Sequence, residues 1–155
     1  VRAAKSYNIL KIYIEDKEKK APFFDVPVKI PGITRIDALN SHVESFVEKA
    51  PLNIEHFDNL GYNSLVQFFD YEKLREGVCI RNRKNGDLFK PYKSKGTKKL
   101  KEYFIDNKIA RDIRDSIPVV AKDREIVWVI GYNIGDKFKV TENTNSVLKM
   151  VYRCN

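Results

Sequence analysis

Apolar and polar positions alternate along much of this chain with a period of two, in short runs separated by turn residues. Residues 7–14 are enriched in β-branched and aromatic side chains and predict a strand, and the charged stretch 15–20 follows as a solvated loop. Pro22, Pro27, Pro31 and Gly32 punctuate what comes next. Proline cannot donate to a β-ladder, so 26–30 reads as an edge strand ending in a turn at Pro31-Gly32. Residues 33–36 and 42–47 predict further short strands. Another is expected over 65–69, with Asp70 capping a short helical turn through Leu74. In 78–83, Val78 and Ile80 face a core while Arg81 and Arg83 share one side or the strand end.

The period then lengthens. Leu100, Tyr103 and Phe104 stand at i, i+3 and i+4, which predicts a helix over 98–107 with Thr97 as its N-cap. Ile109, Ile113 and Ile117 mark a second short helix, stopped by Pro118. Strands are expected again over 119–121, 125–130, 137–141 and 146–152, divided by Asp123-Arg124, Gly131, Gly135 and Asn143-Thr144-Asn145. The fold class is α+β: antiparallel, sandwich-like β layers with a short helical pair inserted after a basic loop. Residues 74–155 read as one module. Residues 1–73 either form a domain of their own or complete the same fold.

Composition permits this. With 43% hydrophobic residues and 12% aromatics, 155 residues can build a core. Cys79 and Cys154 are far apart and show neither zinc-ligand spacing nor a disulfide framework, the pattern of a reduced, cytoplasmic protein. No signal peptide is visible, and no apolar run approaches the roughly 20 residues of a membrane span. The first residue is Val1 and the one methionine is Met150, so the chain is expected to be a piece of a longer protein.

Charge changes the picture more. From Arg81 to Lys101 there are nine Lys or Arg residues and one acid, Asp87, a surplus equal to the whole chain's formal charge of +8. Turn residues and aromatics interleave with them (Asn85, Gly86, Phe89, Pro91, Tyr92, Gly96), which describes a folded surface rather than a disordered tail. Clustered charge of this kind is a field aimed at an anion. Two cations, Lys98 and Lys99, at the start of the expected helix oppose its dipole unless an anion completes the site, so phosphate is expected there. Catalysis finds little support. His42 and His56 lie in ordinary alternation without a nucleophile motif, and no phosphate-cradling glycine loop occurs. Asp106, Asp112 and Asp115 alternate with Lys108, Arg111 and Arg114, as in a surface ion-pair network.

Three ordered clusters carry a resemblance: Arg81-x-Arg83-x-x-Gly86-Asp87-x-Phe89; Lys95-Gly96-x-Lys98-Lys99-Leu100-Lys101-x-x-Phe104-Ile105-Asp106; and Lys108-Ile109-x-Arg111-x-x-Arg114-Asp115-x-Ile117-Pro118. With Ile126-Val127-Trp128-Val129-x-Gly131, and Phe138 to Thr141 with Thr144, they resemble the C-terminal domain of the tRNA(Ile)-lysidine synthetase family. Asn85, Leu88 and Ala110 depart from its usual residues. The resemblance implies a non-catalytic fragment of an ATP-dependent ligase that attaches lysine to the wobble cytidine of tRNA(Ile). ATP, with magnesium, would belong to an N-terminal catalytic domain carrying a Ser-Gly-Gly-x-Asp-Ser motif not found in this sequence. It also implies a β-sandwich-containing module shared with a phenylalanyl-tRNA synthetase subunit. The tRNA-binding residues it points to are Arg81, Arg83, Lys98, Lys99, Lys101, Arg111 and Arg114, docking the acceptor-stem end, while Gly86 and Asp87 shape the loop. The competing expectation is a structural module in which sheet edges and Trp128 form a homodimer or pack on the catalytic domain.

Overall fold

The computed structural model describes residues 2–6, 9–13, 20–50 and 64–155, the first two stretches by backbone alone. Most of the charged stretch 15–20, and His56, lie outside the described residues. The strands are β1 (Arg2–Ser6), β2 (Ile9–Tyr13), β3 (Asp25–Pro27), β4 (Gly32–Ile36), β5 (Ser41–Lys49), β6 (Val66–Asp70) and β7 (Cys79–Arg81). After them come β8 (Leu88–Phe89), β9 (Lys98–Lys99), helix α1 (Leu100–Asp106), β10 (Val119–Lys122), β11 (Glu125–Val129), β12 (Asn133–Ile134) and β13 (Ser146–Cys154).

Strands β1 and β2 form an antiparallel hairpin. The other strands make two sheets. One has four strands in the order β4-β5-β13-β6, all antiparallel. The other has seven strands in the order β3-β7-β10-β11-β8-β9, with β12 also on β11. Its β8–β11 pairing, at Leu88 and Glu125, is parallel, a departure from the antiparallel expectation. Strand β3 sits at the edge of the seven-stranded sheet, as Pro27 requires, while β4, β5 and β6 belong to the four-stranded one.

The seven-stranded sheet is buried on both faces. Toward the four-stranded sheet, Ile80, Val120, Val127 and Trp128 meet Ile36, Val43, Phe69, Leu148 and Met150 in one core. On the opposite face, Val119, Ala121, Ile126 and Val129 pack under Leu100, Tyr103 and Phe104 of α1 in a second. A register shift between Val120 and Ala121 explains why neighbours Val127 and Trp128 face the same side: Ala121 pairs Ile126, Val120 pairs Trp128, and Val127 is the extra residue of a bulge. Trp128 is fully buried, its ring 6.0 Å from that of Phe69. It is a core residue and is unavailable for the subunit or catalytic-domain contact expected of it in the competing reading.

Several local expectations are met. Asp70 accepts a hydrogen bond from the Glu72 N–H (3.1 Å) and caps the 3-10 turn Tyr71–Lys73. The Thr144 hydroxyl accepts from the Thr141 N–H (2.9 Å) and donates to Asp70 (3.0 Å), so this threonine pair ties the approach to β13 to the end of β6. Other expectations are corrected. Residues 137–141 form no strand. A 3-10 turn, Asp136–Phe138, instead inserts Phe138 into the core, and Gly135 lets the chain pass close over β11, where an added Cβ would lie 2.7 Å from the Ile126 carbonyl oxygen. The second helix is a 3-10 helix, Arg111–Ser116. Three residues per turn bring Arg114 and Ile117 inward and leave Ile113 exposed, where α spacing would have buried it.

The helix start is corrected too. Lys98 and Lys99 belong to β9, paired with Phe89 and Leu88, and α1 begins only at Leu100. Its N-cap is Lys99, and Thr97 caps nothing. The Leu100 N–H donates to the Asp87 carbonyl (2.8 Å), so tertiary pairing with the preceding loop sets where the helix begins. Of the two lysines expected at the helix start, only Lys99 stands there, as the N-cap residue, while the Lys98 ammonium is taken up by Asp106.

Candidate nucleic-acid interface

The basic loop is built on a buried ion pair. Lys84 to Asp87 form a turn closed by the Asp87 N–H on the Lys84 carbonyl (3.2 Å), with Gly86 at φ +88°, a conformation glycine adopts without steric cost. The Asp87 carboxylate turns inward. It accepts from the Lys84 N–H (2.7 Å) and, through both oxygens, from the Arg81 guanidinium (2.9 Å each). Arg81 also donates to the carbonyls of Asn82 (2.9 Å) and Asp123 (3.0 Å). Arg81 is 2% exposed and Asp87 3%. Burial works against the arginine's charge, but the hydrogen bonds and charge of Asp87 outweigh it and hold its pKa above the ordinary value. Arg81 therefore has no accessible face for a phosphate. It fixes the loop that carries the others, which corrects its expected place among the contacts.

Around that anchor opens a cleft of about 930 Å³ lined by Arg83, Lys84, Lys99, Lys101, Arg111 and Arg114, with Ile105 on its wall. They come from the loop after β7, from β9 and α1, and from the 3-10 helix. Its two acids are engaged: Asp87 with Arg81, and Asp115 with Arg83 Nε at 2.7 Å. Arg83 also lies over the Phe104 ring, 5.7 Å from its centroid. Arg114 is 3% exposed and donates from Nε to the Ile109 carbonyl (2.9 Å), so it forms the floor. Lys99, Lys101 and Arg111 are exposed and form no ion pair among the described residues.

Five of the seven expected residues thus share one site: Arg83, Lys99, Lys101, Arg111 and Arg114. Lys98 does not line it. As the strand neighbour of Lys99 it points the other way, and its ammonium meets Asp106 at 3.0 Å. The aspartates do form surface ion pairs, but Asp106 and Asp115 take partners from outside their own segment, Lys98 and Arg83. One cation joins that the sequence reading did not select, and another lies near Gly86, which lines the cleft. Lys84 lines the cleft, and Arg124 places Nη1 3.7 Å from where a Cβ on Gly86 would be. Lys84 had a signal in the basic window. Arg124 had none, since the hairpin turn that brings it over Gly86 is set by sheet register.

The arrangement can neutralise several phosphates at once. Tyr103, edge-on to Phe89 at 4.9 Å, has its pKa pushed up to about 12 by burial and then by Tyr132, so it stays neutral. Among the described residues no three His, Cys, Asp or Glu side chains gather as metal ligands, and no helix is long and apolar enough to cross a membrane.

Comparison with known proteins gives this geometry a context. Residues 78–150 match the family model described as TilS substrate C-terminal domain. Over 98% of its length the chain is 41% identical to a tRNA(Ile)-lysidine synthase of Caldanaerobacter subterraneus subsp. tengcongensis, covering 31% of that protein. Another tRNA(Ile)-lysidine synthase, from Clostridium tetani, is 30% identical over 93% of the chain, with 38% of that protein covered. The chain thus spans about a third of the length of these curated relatives. A solved structure described as the TILS C-terminal domain superposes with a TM-score of 0.67 at 22% identity, covering 86% of this chain and 98% of that one, which shows a shared fold.

Proposed function

Because the chain belongs to the TilS substrate C-terminal domain family, we propose that it is the tRNA-gripping part of a tRNA(Ile)-lysidine synthase, docking the acceptor stem while a separate catalytic domain, using ATP, joins lysine to the wobble cytidine. One observation carries this reading: cations from three separate segments converge on one cleft whose acids are already engaged. Duplex RNA suits such a site. Its major groove is too deep and narrow for side chains, so it is recognised through phosphates, 2′-hydroxyls and shape. Arg83 and Arg111 supply planar donors for phosphate oxygens, and Lys99 and Lys101 supply mobile point charges. Holding the far end of the RNA fixes which anticodon base reaches a distant active site, so specificity comes from placement. The ATP chemistry is assigned to the part of the relatives beyond this chain.

The test is a titration of labelled tRNA(Ile) acceptor stem with the chain at several salt concentrations. Binding is expected, with the logarithm of affinity falling linearly with the logarithm of salt by about four or more, one step for each phosphate contact. A chain that sediments as a stable dimer and shows no salt-sensitive RNA binding would instead favour a purely structural module.

A further inference from the structure

Lys90, Lys93 and Lys95 belong to the basic window, yet none lines the cleft. The fold turns the segment carrying them the other way. Pro91 bridges to Gly135, the Tyr92 N–H donates to the Ile134 carbonyl (3.0 Å), and the Asp136 N–H donates to the Lys90 carbonyl (2.8 Å). Lysines remote in sequence meet it there. Lys139 and Lys90 approach the Asp136 carboxylate at 3.0 and 3.4 Å, and the same carboxylate accepts the Lys93 N–H at 3.0 Å. Lys137 pairs Glu125 at 2.8 Å, while Lys73 Nζ donates to the Lys137 carbonyl (3.0 Å) and Lys122 Nζ to that of Lys73 (3.1 Å). Six lysines from separate parts of the chain are therefore linked here, of which Lys90 and Lys139 pair with Asp136 and Lys137 with Glu125. The Tyr92 ring holds two of the ammonium groups in place, Lys93 at 5.3 Å and Lys139 at 5.7 Å from its centroid.

We propose that this lysine face is a second phosphate-binding surface that engages a further stretch of the same RNA held in the cleft. The proposal rests on the RNA-docking reading above and extends its footprint. Six lysines gathered around two acids leave an excess of like charge that repels itself, and a bound polyanion relieves that repulsion. Continuity selects a polynucleotide over a free phosphate. The face and the cleft abut across the two-residue strands β8 and β9: Leu88 pairs Lys99, which lines the cleft. Leu88 and Thr97 also line a cavity of about 240 Å³ beside Lys90 and Lys137 of the lysine face. A chain of regularly spaced phosphates can lie across both surfaces, whereas a small anion fills only one.

The experiment compares three forms of the full chain binding a stem-loop at least one helical turn long, between about 50 and 200 mM salt. They are the unsubstituted chain, a lysine-face variant (Lys73→Gln, Lys93→Gln, Lys137→Gln) and a cleft variant (Lys101→Gln, Arg111→Gln). The three replaced lysines are exposed, and unchanged circular dichroism and melting verify the fold. The expected result is a lysine-face variant whose log–log salt slope is shallower by about two, with affinity at low salt down about tenfold. A lysine-face variant that binds like the unsubstituted chain, while the cleft variant weakens, overturns this proposal and leaves the cleft reading standing. If neither variant weakens, both readings fall. Should the lysine-face substitutions abolish binding to phosphatidylserine vesicles and leave RNA binding intact, the face serves a membrane surface and the proposal is likewise overturned.

Discussion

Replacing Asp87 with Asn lowers the melting temperature by on the order of 10 °C. The substitution keeps the side-chain shape but removes the charge that compensates the buried Arg81 guanidinium. Breaking a buried pair by removing one partner costs about 3–5 kcal/mol, because the remaining charge stays desolvated. In a domain of this size each kcal/mol shifts the melting temperature by roughly 2–4 °C. The loss should be largely recovered in the double variant Arg81→Met, Asp87→Leu, which removes both charges. Recovery will stop short by about 1 kcal/mol, since Asp87 also accepts the Lys84 N–H. Thermal denaturation of the three proteins measures this. Were Asp87→Asn to melt with the parent, the ion pair would not be what holds the basic loop.

The second large effect is on RNA. Lys99→Glu with Lys101→Glu reverses two exposed charges in the cleft. It should weaken acceptor-stem binding on the order of 100-fold at low salt, through two lost phosphate contacts and two new repulsions. Lys98→Glu, one residue away, should cost far less, because the Lys98 ammonium faces Asp106 on the other side of the strand. The contrast between adjacent lysines is the informative part. A general electrostatic attraction would respond equally to either position, whereas a formed cleft distinguishes them. Filter binding or anisotropy with one labelled stem reads both.

The strands were legible wherever β-branched and aromatic residues alternated between turn signals, as in β5, β11 and β13, because burial on a sheet face leaves that imprint locally. The buried face of α1 was legible for the same reason: Leu100, Tyr103 and Phe104 are all inside. Its start was not. Thr97 looks like a cap, but β9 must first satisfy the backbone of β8, a demand that no local window contains. The 3-10 helix escaped because Ile109, Ile113 and Ile117 fit α spacing equally well on paper, and only the real pitch expels Ile113. For the site, the basic window announced the chemistry but could not sort its members. The resemblance set Arg81 among the contacts, and since arginine is rarely buried nothing in its own position argued otherwise. The one available hint was that a window of nine cations keeps a single acid, Asp87, just after a glycine. Arg124 and the lysines around Asp136 come together only through sheet register and chain crossing, which long-range pairing decides.

Amide chemical-shift mapping of the chain titrated with an acceptor-stem duplex would locate the bound RNA residue by residue. If the cleft grips the stem, the saturable shifts will centre on Arg83 to Gly86, Lys99, Lys101 and Arg111, while the exposed side of the four-stranded sheet around Phe46 and Lys149 stays quiet. Shifts concentrated on that sheet, with the cleft amides unmoved at saturation, would contradict the cleft as the RNA-binding surface.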